Sequence, residues 1–255
     1  MSESETARNN SPLKTAIVLG APRSGTSMTA GILAILGVDM GNVRNADPLN
    51  PQGYYEDRDF LNLGDDIFRA ADPDSNGFCP PEASAIREVK GEFEGRITAL
   101  VSERNTACNQ AAWGWKTTQT CLLADLFLPH VTNPHFVVAL RNPLGSAKSA
   151  IRYVQHDIKK HMYEELTLVS ALRTIGRYEE ATYQLLNRHP DIPHLILAYE
   201  DIVSDPVSAS RSLASFLALP VDKTALDNAV EFVQTRNKGG RPRWWKRLTA
   251  LPVHG

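Results

Sequence analysis

The sequence predicts one α/β domain: a parallel β-sheet with helices on both faces, in a three-layer α/β/α arrangement. Two observations carry this. Short apolar runs rich in β-branched residues alternate with stretches of helical periodicity, and the runs are continuously apolar instead of alternating with polar residues. A strand buried on both faces has that composition, because successive side chains point to opposite sides of the sheet and both need apolar partners. The 255 residues suffice for one such domain.

Residues 1–12 are polar and read as a disordered tail, leaving 13–255 as the domain. Residues 15–19 form a first strand that ends at Gly20. A helix follows, with Met28, Ile32, Leu33, Ile35 and Leu36 on one period and Gly37 as its stop. Residues 41–56, rich in Asn, Pro and Gly, are too long for a simple connector and are either functional or mobile. Residues 60–70 and 83–105 read as helices, separated by the turn-rich stretch 72–77. Residues 112–116 and 135–140 form the second and third strands, and Pro143 suits the first turn of the helix after the third. A long helical segment spans 162–188, a fourth strand 194–198, and further helices 205–219 and 222–232. In a parallel sheet ligands sit beyond the carboxyl ends of the strands. Gly20, Lys116, Arg141 and Tyr199 all fall there, so four strand ends converge on one rim.

Composition removes several classes of function. Lys and Arg number 27 against 29 Asp and Glu, a formal charge of −2, whereas a general nucleic-acid or membrane-surface binder carries a basic excess. The three cysteines, Cys79, Cys108 and Cys121, are widely spaced and form no C-x-x-C, so free thiols in a reducing cytoplasm are expected. No leader-like apolar region and no run of membrane-spanning length is visible. No metal is expected: His156 and His161 are five residues apart, which does not stack them on one helix face.

The segment Gly20-Ala21-Pro22-Arg23-Ser24-Gly25-Thr26-Ser27 joins the first strand to its helix. Free N–H groups of a first helical turn and the positive end of the helix dipole favour a phosphate-like anion there. Against the nucleotide-binding pattern G-x-x-x-x-G-K-[ST], Gly20, Gly25 and Ser27 fit but Thr26 stands where the lysine belongs, and the cation has moved to Arg23. An NTPase would lack the lysine that reaches the β- and γ-phosphates. An arginine fork beside a single phosphate-like group fits better. The alternative is a tight βα turn with no ligand.

This segment resembles the 5′-phosphosulfate loop of sulfotransferases that use 3′-phosphoadenosine-5′-phosphosulfate (PAPS), which have a P-loop-like fold. Downstream, Arg141-Asn142-Pro143 with Ser149 resembles that family's 3′-phosphate motif, and Tyr199-Glu200-Asp201 followed by Asp205-Pro206 its Y-E-D strand end. The resemblance implies that Arg23, Ser24, Gly25, Thr26 and Ser27 hold the 5′ end of PAPS, that Arg141 and Ser149 meet the 3′-phosphate, and that Tyr199 lies near the adenine. Family members complete the 3′-phosphate site with an R-K-G motif. The nearest match, Arg236-Asn237-Lys238-Gly239, is interrupted by an asparagine, so Lys238 and Gly239 are candidate cofactor residues and 236–255 either covers the cofactor or is a solvated basic tail.

In-line transfer of a sulfuryl group requires alignment, stabilisation of spreading negative charge, and removal of the acceptor's proton. Arg23 and Lys116 are the candidate cations; Lys116 resembles the family's catalytic lysine. Thr117-Thr118-Gln119 follow it, where many bacterial relatives carry Asp-Pro-Arg, and the histidine base of the cytosolic aryl and steroid enzymes is missing. Asn50-Pro51-Gln52-Gly53-Tyr54-Tyr55-Glu56-Asp57 resembles the N-P-x-G-[YF]-x-E-D stretch of bacterial members, which makes Glu56 the candidate base and Asp57 its rival. The expected reaction is sulfuryl transfer from PAPS to a hydroxyl of a glycan, lipid-linked or small natural-product acceptor. The competing readings are an ATP-dependent small-molecule or nucleotide kinase, and a non-catalytic nucleotide-binding module. Oligomeric state is not readable from the sequence.

Overall fold

The computed structural model describes residues 13–43, 46, 50–155 and 166–237. Among these, five parallel strands form one sheet: β1 (Lys14–Leu19), β2 (Val38–Asp39), β3 (Ala112–Lys116), β4 (Pro134–Leu140) and β5 (His194–Ala198), in the order β2-β3-β1-β4-β5. The helices are α1 (Thr26–Ile35), α2 (Arg58–Ala71), α3 (Ala83–Ala107), α4 (Thr120–Phe127), α5 (Pro143–Gln155), α6 (Leu168–Arg188), α7 (Tyr199–Ser204), α8 (Pro206–Leu217) and α9 (Lys223–Asn237).

The continuous apolar runs split between two cores. From β1, Ile17 and Leu19 join Trp113, Trp115, Phe136 and Val138 on the side covered by α2 to α6, while Ala16 and Val18 join Val137 on the side of α1, α8 and α9. On the first face Phe60 stacks on Trp115 at 4.5 Å between ring centroids. This confirms the parallel sheet covered on both faces.

Several boundaries differ from expectation. β2 is two residues long, too short to produce periodicity. α4 follows β3 within four residues, and its mostly apolar sequence TCLLADLF carries no side-chain N-cap to announce it. α6 starts at Leu168, where Thr167 and Ser170 form a reciprocal capping box, so Leu166 and Thr167 precede it. Tyr199-Glu200-Asp201 opens the short helix α7 instead of ending a strand, and Asp205 caps α8 by accepting from Ser208 N–H at 3.0 Å. β5 is an edge strand and its Ile196 is 43% exposed, unlike the buried interior expected of its composition. α9 runs to Asn237, five residues past the expected end at Phe232, because Phe232 and Val233 are buried in the second core and the next turn is held by its own contacts. The expected tail at 1–12, His156, His161, Lys238, Gly239 and nearly all of 236–255 lie outside the described residues.

Candidate active site

The loop after β1 is built tightly. Ser24 N–H bonds Ala21 C=O at 3.1 Å, which turns the chain, and α1 opens on Gly25 with no side-chain cap. Met28 N–H already turns back to Gly25 C=O at 2.9 Å, so the Thr26 and Ser27 N–H groups are the ones left without helical acceptors. Arg23 has φ +67°, the left-handed region that costs a side-chain-bearing residue energy. Gly25 has φ +105°, and a Cβ there would lie 2.9 Å from Tyr199 Cδ2, so glycine is required both by the turn and by the ring packed on it.

Three of the four expected strand ends converge: Lys116, Arg141 and Tyr199 line one cleft of about 590 Å³, together with Arg23, Gly25, Thr26, Ser27, Glu56 and Ser149. Gly20 and Ser24 are buried behind this lining, where Gly20 N–H meets Cys121 Sγ at 3.1 Å. Arg23 Nε donates to Ser149 Oγ at 3.2 Å, and its guanidinium sits 4.9 Å from the Tyr153 ring centroid. Burial lowers its pKa. Arg141 stacks over Tyr199 at 4.1 Å and donates from Nη1 to Arg23 C=O at 3.3 Å. Ser149 is thus bonded to Arg23, while Arg141 reaches the loop backbone. Two buried polar atoms beside the loop, Ser24 Oγ and Arg141 Nε, have no partner among the described residues. A buried donor left unmade costs roughly 1–3 kcal/mol, and phosphate-type oxygens are the acceptors that would complete both.

Lys116 is 3% exposed and its Nζ makes three bonds: to Glu56 Oε1 at 2.8 Å, Ser27 Oγ at 3.1 Å and Tyr54 C=O at 3.4 Å. Burial lowers its pKa and the Glu56 carboxylate opposes that shift. The ammonium therefore ties the anion loop directly to the candidate base. Asp57 is separated from Glu56 by environment. It is fully buried, caps α2 by accepting from Asp59 N–H at 2.8 Å and Phe60 N–H at 3.2 Å, and is clamped by Arg104 Nε at 2.9 Å. Both of its oxygens are committed to structure, whereas Glu56 faces the cleft.

The sequence profile of the sulfotransferase family matches residues 16–223. The chain belongs to the sulfotransferase family. It is accordingly a PAPS-dependent sulfuryl transferase. Among solved structures it is similar to the sulfotransferase domain of the Synechococcus PCC 7002 olefin synthase, at 14% identity and TM-score 0.50, covering 98% of this chain and 92% of that one. It is also similar to sulfotransferase STF9 from Mycobacterium avium, at 13% identity and TM-score 0.52, covering 95% and 70% respectively. At these identities the two structures share its fold. No curated protein sequence matches the chain.

This sulfotransferase lines its cleft with further residues that the sequence reading did not select. Arg236, in the last turn of α9, donates to Asn50 Oδ1 at 2.8 Å and Gly53 C=O at 3.4 Å, and burial pushes its pKa down to about 10. It fastens the long 50–56 segment, so that segment is the carrier of Tyr54 C=O and Glu56. Arg152 and Tyr153, three and four residues after Ser149, share its helix face; that spacing was the available signal. Asp65, Gln119, Leu61 and Thr118 also line the cleft, as does Phe78, whose ring centroid lies 6.1 Å from that of Tyr153. Among the described residues no helix is long and apolar enough to cross a membrane, and no group of three or more His, Cys, Asp or Glu is placed to hold a metal.

Proposed function

We propose that the cleft holds PAPS with its 5′-phosphosulfate on the loop 20–27 and its 3′-phosphate towards Arg141 and Ser149, and that Glu56 takes the proton from an acceptor hydroxyl. The observation that carries this reading is the Lys116 ammonium, bonded at once to Ser27 Oγ of the anion loop and to Glu56 Oε1. Bound PAPS supplies the activated sulfuryl group. Arg23 and Lys116 offer cationic donors where negative charge develops, in a buried site where such groups act strongly. Glu56, oriented by Lys116, is an acceptor-only carboxylate and so a suitable proton sink. The orphaned Ser24 Oγ and Arg141 Nε support an anion at each end of the site. Tyr199, stacked beneath Arg141 and against Gly25, offers an aromatic face for the purine. The acceptor is a hydroxyl of a glycan, a lipid-linked or a small natural-product molecule. The free thiols of Cys79, Cys108 and Cys121 support a reducing, cytoplasmic setting.

Calorimetric titration with adenosine 3′,5′-bisphosphate (PAP) against ADP–Mg²⁺ tests the nucleotide. Preference for PAP is expected, and preference for the ADP complex would overturn the reading. Turnover of labelled PAPS with pooled hydroxyl acceptors, in wild type and Glu56→Gln, tests the reaction and its base.

A further inference from the structure

The cleft is lined by the cations Arg23, Lys116, Arg141, Arg152 and Arg236 and by the acids Glu56 and Asp65. Lys116 is paired with Glu56, whereas among the described residues none of these cations is paired with Asp65 on α2. Leu61 and Asp65 are four residues apart on α2 and present one face to the cleft. Asp65 is half-buried, and among the described residues no cation forms an ion pair with it. Arg69, one turn on, is instead bonded to Asp66. The Asp65 carboxylate is held by a hydrogen bond from Gln119 Nε2, a side chain only 3% exposed. The remaining Gln119 atom, Oε1, has no partner and packs where a Cβ on Gly64 would fall, 3.3 Å away, so the amide is fixed with its donor towards Asp65. A half-buried carboxylate fixed by a neutral amide is an acceptor that still has lone pairs to fill. Burial raises the Asp65 pKa, Arg69 opposes the shift, and Glu56 pushes it further up. A hydrogen-bond donor or cation arriving at Asp65 favours the charged carboxylate and so opposes the rise.

Resting on the reading of Glu56 as the base, we infer that Asp65, oriented by Gln119, is a specificity-determining residue at the acceptor end. It selects acceptors that carry a second hydroxyl or an ammonium group near the sulfated hydroxyl, and it turns away acceptors with a carboxylate, sulfate or phosphate there. Thr118 adds a hydroxyl to the cleft lining, and Leu61, on the same face of α2 as Asp65, supplies apolar surface, the mixture suited to a polyol or amino alcohol with an apolar face.

The test uses two series that vary charge on a common hydroxyl-bearing frame: octyl glucoside, glucosaminide and glucuronide, and 4-ethylphenol, tyramine and 3-(4-hydroxyphenyl)propionate. Label transfer from PAPS is measured for wild type, Asp65→Asn and Asp65→Lys, with PAP affinity as the check on folding. In wild type the anionic members should be poorer than their cationic counterparts by at least about tenfold in kcat/KM. Asp65→Asn should flatten that ratio, and Asp65→Lys should invert it. Saturation-transfer NMR of the same probes on the PAP-saturated chain reads the same ranking for a series that is bound but not sulfated. Anionic members accepted as readily as cationic ones, or a ranking unmoved by Asp65→Lys, would overturn the inference. Absence of PAP binding would overturn the functional reading instead, so the two failures are told apart.

Discussion

Glu56 and Asp57 are adjacent carboxylates with opposite duties, so replacing each by its amide separates chemistry from folding. In Asp57→Asn, one amide oxygen can still cap α2, but the NH₂ group then meets Arg104 and the Asn42 N–H, both donors. Breaking a buried pair costs roughly 3–5 kcal/mol. The low end applies, because Arg104 keeps Asp59 and Glu103 as partners. A loss of about 3 kcal/mol lowers Tm by roughly 6–12 °C in a chain of this size. In Glu56→Gln, the amide oxygen still accepts from Lys116 but the buried ammonium loses its counter-charge, so the stability cost is roughly 1.5–3 kcal/mol. The rate should fall ~10²–10⁴-fold, the usual contribution of a general base. Denaturant titration and labelled-PAPS turnover on both variants decide the matter. A Glu56→Gln enzyme within threefold of wild-type kcat (a criterion of about 0.7 kcal/mol) refutes the base assignment. An Asp57→Asn chain as stable as wild type refutes the capping and clamp argument.

Three further outcomes are expected. Arg23→Ala should weaken PAP binding about 10–100-fold by calorimetry, since charge-assisted hydrogen bonds contribute roughly 1.5–3 kcal/mol. The working form of Lys116 is its cation and burial lowers its pKa, so kcat should decline on the alkaline side at a pH below the ordinary lysine range; Lys116→Arg, whose charge persists, should move that limb upward. Gly114→Ala would set a Cβ 2.1 Å from the Ala16 carbonyl oxygen of β1 in the middle of the sheet, and urea denaturation should record a loss of about 3 kcal/mol or more.

The parts of this protein that local sequence can encode were readable. A run such as residues 15–19 must be buried on both faces, and the turn that follows it needs small residues and a helix start. The strand ends therefore identified Lys116, Arg141 and Tyr199, and the misplaced cation identified Arg23. What escaped depends on distant partners. β2 exists only because Val38 and Asp39 pair with Ala112 and Trp113. The edge position of β5 is a matter of strand order, which its composition does not express. The difference between Glu56 and Asp57 is set by Lys116 and Arg104, 60 and 47 residues away. Arg236 was visible as the arginine of the nearest match to the family's C-terminal motif, but its hold on Asn50 spans 186 residues.

The cations around the cleft also bear on how long the chain survives. Arg23 and Arg236 each lower the pKa of Lys116, and Arg23 lowers that of Arg236, so these groups repel one another inside the fold. On the proposed placement of the nucleotide, its anionic groups would offset that repulsion. A ligand that binds only the folded chain adds stability with concentration, about 2.7 kcal/mol at a hundredfold excess over Kd. Resistance to proteolysis should then rise with the concentration of PAPS or PAP.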